Sequence, residues 1–112
     1  MPDTAWAPDA LKNLALGLAL QWGPDWLQPI QPRLARLAPE LDAHQRDALD
    51  ALAQRAMRFG WKAMANAMRL DGGRPALPDL DAFRSSLGPE FGWIDHERLS
   101  RLHSQSAYYA LK

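Results

Sequence analysis

The sequence predicts an all-α fold: a compact single-domain bundle of four principal helices and one or two short ones, built around a long central helix, with no sheet. Three observations carry that expectation. The chain has no valine, and Thr4, Ile30 and Ile94 are its only β-branched residues. Strands draw on such residues, whereas Ala, Leu and Arg, which dominate here, favour helix. A helical pattern runs from Asp42 to Leu70 with no proline and with Gly60 as its only glycine. Elsewhere apolar residues recur at helical spacing between Gly/Pro breaks.

A chain of 112 residues fits one domain, 1–112, with a core of useful size. Lys+Arg and Asp+Glu balance at 13 each, which argues against a surface built throughout for nucleic acid and leaves room for a local basic patch. The absence of cysteine excludes disulfides, thiolate metal sites and cysteine nucleophiles. The start carries Pro2 and Asp3 where a secretory signal would be basic. The apolar run Leu14–Leu20 is too short to span a bilayer. A cytoplasmic location is therefore expected.

Residues 1–7 read as an irregular lead, with Trp6 expected to dock on the bundle. Pro8 and Asp9 suit a helix start, and the first helix is expected to reach Trp22. Leu11, Leu14, Ala15, Leu18 and Trp22 share one face, while Leu16 and Leu20 project from the other side. A helix apolar nearly all round is either sandwiched within the fold or shared with a partner. Leu16 and Leu20 are accordingly the candidate self-association residues, and a homodimer is one expectation.

Gly23-Pro24 ends this helix. Prolines at 24, 29 and 32 break the next stretch into a turn near Trp26 and a short helix from Pro32 to Leu37 or Ala38. Pro29-x-x-Pro32 has the spacing of a polyproline ligand. Trp26, Leu27, Ile30, Leu34 and Leu37, at near-helical spacing, favour a connector packed on the core instead.

The central helix has marked ends. Asp42 and Gln45 have the form of a capping box, and Asp71-Gly72-Gly73 suits a glycine-terminated end. Leu49, Ala53, Ala56, Gly60, Ala63, Met64 and Ala67 form a seam of mostly small residues, so another helix can approach it closely. After a Gly/Pro-rich loop, Asp79 caps a short helix carrying Leu80, Phe83 and Leu87. Gly88-Pro89 stops it, and Phe91 and Trp93 pin the following loop. Asp95 caps the last helix, with Ile94 and Leu99 placed as a hydrophobic staple.

Three constellations bear on function. Met57, Trp61, Met64 and Met68 cluster on and beside the seam, as a wall for an apolar ligand or partner helix would, although Met and Trp at this spacing also make ordinary core. Arg55, Arg58, Lys62 and Arg69 fall within an arc of about 60°, and no carboxylate lies between Ala51 and Leu70. That stripe suits an anion or a phosphate backbone. Its bland explanation is the helix dipole, which favours cations toward the C-terminus. His96 and His103 lie about 10.5 Å apart along one helix, too far to share a metal. His103 reads as a satisfied boundary residue, and Tyr108-Tyr109 as one packed and one exposed ring.

No nucleophile elbow, phosphate loop or dinucleotide turn is present, and no cofactor is implied. The sequence does not specify a reaction. It favours a small helical protein-interaction or regulatory module that meets a protein partner or a second copy of itself. A binder of a small apolar ligand between helices comes next, then a nucleic-acid or anion binder, and an enzyme last.

Overall fold

The computed structural model describes residues 4–21, 28–71 and 74–111. The fold class is all-α. The helices among the described residues are α1 (Asp9–Ala19), α2 (Gln31–Leu37), α3 (Ala43–Ala67), α4 (Leu80–Leu87) and α5 (His96–Leu111), with a 3-10 turn at Pro89–Phe91. No helix among them is long and apolar enough to cross a membrane. Contacts divide the chain into two compact units, Met1–Ala56 and Met57–Lys112, and the division falls inside α3.

In the first unit, Ala15, Leu16, Leu18, Ala19 and Leu20 of the α1 segment are all buried. Such burial within the chain is what the sandwiched reading of a helix apolar all round requires. Leu16 and Leu20 are each 0% exposed, so neither offers surface to a second copy. The expected end at Trp22 and the turn near Trp26 lie outside the described residues. The regular helix closes at Ala19, where a side chain from α2 supplies the cap. Arg33 Nη1 donates to Leu18 O at 2.9 Å and to Gln21 Oε1 at 3.1 Å. A guanidinium suits that place, because its fixed fork serves two acceptors and its charge suits a helix C-terminus.

Pro32 sits in the first turn of α2, where its missing N–H costs nothing. Pro29-x-x-Pro32 therefore runs into an α-helix and forms no polyproline segment. Ile30 and Leu34 are buried, whereas Leu37, expected on the core, is 59% exposed. Trp6 is also partly exposed rather than fully docked.

The capping box forms as its spacing requires. Gln45 N donates to Asp42 Oδ1 at 2.8 Å, and Asp42 N donates to Gln45 Oε1 at 3.0 Å. The other end of α3 departs from expectation. The helix stops at Ala67 instead of Leu70, and Arg69–Asp71 pairs antiparallel with Arg74–Ala76. This minimal two-stranded ladder is the exception to the expected absence of sheet. Gly-Gly is also a two-residue hairpin signal, and Gly72 and Gly73 themselves lie outside the described residues. Leu70 pairs with Pro75, one position from the pair that closes the loop, in the register that asks for no N–H there.

In the second unit, Gly60 carries the close approach that the small-residue seam predicts. A β-carbon at Gly60 would lie 2.9 Å from Leu102 Cδ1 and Cγ, so α5 seats its buried leucine on bare backbone of α3. Asp79 Oδ1 accepts from Ala82 N at 2.8 Å and caps α4. Gly88, at φ +84°, turns the chain out of that helix in a conformation other residues rarely adopt. Arg84 Nη2 donates to Ile94 O at 2.6 Å and ties the segment before α5 to α4. Asp95 Oδ1 accepts from Arg98 N at 2.8 Å and caps α5, with Ile94 and Leu99 both buried as a staple requires.

Candidate functional site

The outer face of α3 in the second unit is built by helical phase. Relative to Arg58, Trp61 is displaced about 60° to one side, and Lys62 and Phe59 about 40° and 100° to the other. Arg58 and Lys62 are exposed and occupy the middle of this arc. Phe59, at the far edge, is 42% exposed, and its ring centroid lies 5.2 Å from that of Phe91. Trp61, at the near edge, is half-buried, with its ring 5.0 Å from Tyr109. Tyr109 meets Tyr108 edge-on at 5.5 Å, and Tyr108 is 54% exposed. Leu111, one turn beyond on α5, is 53% exposed. The result is a short basic strip between two aromatic edges.

The electrostatics of the strip are set by sequence. α3 carries no carboxylate from Met57 onward, and α5 carries none after Glu97. Arg58 and Lys62 have no ion-pair partner among the described residues, whereas Arg98 pairs with Asp95 at 3.1 Å. The helix dipole does not account for this placement. With α3 ending at Ala67, both cations lie before the last turn, where the dipole's effect has faded.

The candidate residues separate accordingly. Met57 and Met64 are buried core; Trp61 and Met68 are half-exposed. The four do not form one open wall. Within the basic set, Arg58 and Lys62 are exposed, and Arg55 is half-buried and engaged by other groups of the chain. Arg69 leaves the helix altogether and lies on the first strand. The expected pairing of one packed and one exposed tyrosine is present, but sequence did not connect it to Trp61. Phe59 was not singled out either, because an isolated aromatic on a basic face breaks no periodicity.

Elsewhere the polar groups hold structure. His103 Nε2 lies 2.7 Å from Pro78 O, and its ring meets Phe83 edge-on at 5.3 Å, so it ties the approach to α4 onto α5. Asp50 is half-buried beside Gln54, Asp47, Arg33 and the backbone of Ile30. Burial raises its carboxyl above the ordinary aspartate value, reinforced by Asp47 and opposed by the hydrogen bonds and by Arg33. Among the described residues, no group of three His, Asp or Glu side chains is placed to hold a metal ion.

Comparison with protein-family models, with curated proteins and with solved structures finds no match.

Proposed function

We propose that this chain is a small helical protein-interaction module whose contact surface is the outer face of α3 and α5 in the second unit. One observation carries the reading: large aromatic side chains stay exposed on both edges of a strip whose cations have no ion-pair partner among the described residues. Aromatic and arginine side chains are the groups that most often anchor protein interfaces. Scattered exposed apolar residues need no explanation, but several converging on one charged strip do. The cytoplasm is the setting this reading takes.

Self-association through Leu16 and Leu20 is not part of the proposal, since both are covered within the chain. A small apolar ligand is also a weaker reading, because Met57 and Met64 are core.

A comparative affinity capture tests the proposal. The wild-type chain and a Phe59→Ala/Tyr108→Ala variant are immobilised side by side and challenged with extract of the native host. Both positions are exposed, so circular dichroism should show an unchanged helix content. A protein retained by the wild type and lost by the variant is the expected result. Equal recovery of every protein by both would remove this face from consideration.

A further inference from the structure

The face described above is specific enough in charge to define its occupant. We infer that it binds an acidic, amphipathic segment of another protein: a peptide with two carboxylates spaced to reach Arg58 and Lys62, flanked by large apolar side chains that rest on the aromatic edges. This inference rests on the interaction reading and deepens it.

Charge complementarity is the first argument. The chain is neutral overall, with 13 basic and 13 acidic residues, yet neither helix that forms this face bears a carboxylate in the stretch concerned. A basic partner would meet repulsion from Arg58 and Lys62 with no carboxylate on these stretches of α3 and α5 to offset it, and such juxtapositions exclude wrong partners effectively. Geometry is the second. Arg58 and Lys62 stand four residues apart on one helix face, so their stems are about 6 Å apart along the axis. Carboxylates at i and i+2 of an extended peptide, or at i and i+4 of a helix, have nearly that spacing. The third is the pair of aromatic edges, Phe59 on one side and Trp61 with Tyr108 on the other. These provide apolar footing on both sides of the charges, which an isolated ion-binding site would not need.

The same residue types occur in nucleic-acid binders, but the numbers oppose that occupant. Affinity for a phosphate backbone comes from neutralising many phosphates at once, on the order of 6–10 in a strongly salt-dependent binder. Here two exposed cations stand on the face, in a chain of net charge zero.

Selection from a random 12-residue peptide library on the immobilised full chain tests the inference, followed by fluorescence anisotropy of the enriched peptides. The expected outcome is enrichment of sequences with two or more Asp/Glu beside Leu, Phe or Trp. Their affinity should fall about tenfold or more for Arg58→Glu/Lys62→Glu, and should weaken steeply with salt. Replacing the peptide's carboxylates by amides should have a comparable effect. Enrichment of neutral or basic peptides that still depend on Tyr108 would overturn the acidic assignment while leaving the interaction face standing. Peptides indifferent to both Tyr108 and Arg58, or no enrichment, would overturn both. A twelve-nucleotide single strand, or vesicles of phosphatidylserine, binding more tightly than any selected peptide would also overturn the inference.

Discussion

Gly60→Ala is the most informative single substitution in the fold. The β-carbon it adds lies 2.9 Å from Leu102 Cδ1 and Cγ and 3.0 Å from Cδ2. Carbon atoms prefer about 3.5–4.0 Å, so the buried leucine must retreat by roughly 0.5–1 Å or change rotamer. Overpacking of this kind costs about 1–3 kcal/mol. Alanine returns about 0.8–1.0 kcal/mol through its better helix propensity. The net expectation is a loss of about 1 kcal/mol. The sign should reverse when the obstacle is removed. In a Leu102→Ala background the three atoms nearest the new methyl are gone, and Gly60→Ala should stabilise by up to about 1 kcal/mol, the propensity gain. The two positions are thus coupled by roughly 2 kcal/mol, within the range for contacting residues. Urea denaturation of the four proteins, with the slope held common, measures that coupling. Equal stabilisation by Gly60→Ala in both backgrounds would show that α5 does not seat against bare backbone at this point.

Other consequences follow from the same structure. Leu16→Ala should cost about 2–5 kcal/mol, with a melting temperature independent of protein concentration, because the side chain is buried within the chain; a concentration-dependent transition would restore the dimer reading. Asp42→Ala should remove about 1 kcal/mol by deleting the acceptor of the Gln45 N–H, and thermal unfolding unchanged within error would contradict the cap. Asp50 has a raised folded-state value, so its charged form is disfavoured in the native state, and that cost is absent below 3.8 and grows as pH rises through the folded value. Asp50→Asn should therefore be more stable than wild type at neutral pH and lose that advantage on acidification, as followed by unfolding across a pH series; an advantage that grew toward acid pH would reverse the assignment.

The helices were legible because their signals are local. Asp42 with Gln45, Asp79, and Asp95 each lie at the one spacing where a side chain reaches a first-turn N–H, and each is observed to accept it. The small-residue seam was legible for a related reason: helical phase fixes which residues share a face. The end of α3 was not legible because a Gly-Gly pair in sequence suits a helix stop and a hairpin alike, and the pairing of Arg69–Asp71 with Arg74–Ala76 is a contact that helical periodicity does not register. The basic stripe has two readings, an anion site and a dipole effect; the dipole acts within the last turn, and Arg58 and Lys62 lie before that turn of α3, so it does not cover them. The aromatic edges needed tertiary contacts. Nothing local brings Trp61 to Tyr109 or Phe59 to Phe91, residues separated by dozens of positions.

The claim that the outer face of α3 and α5 is a partner surface is tested most directly by titrating the 15N-labelled chain with a selected acidic peptide and following backbone and indole resonances. The account predicts a contiguous footprint at Arg58, Phe59, Trp61, Lys62 and Tyr108, with α1 and α2 resonances unmoved. A footprint centred on residues of the first unit, or saturation without movement at these five positions, would contradict it.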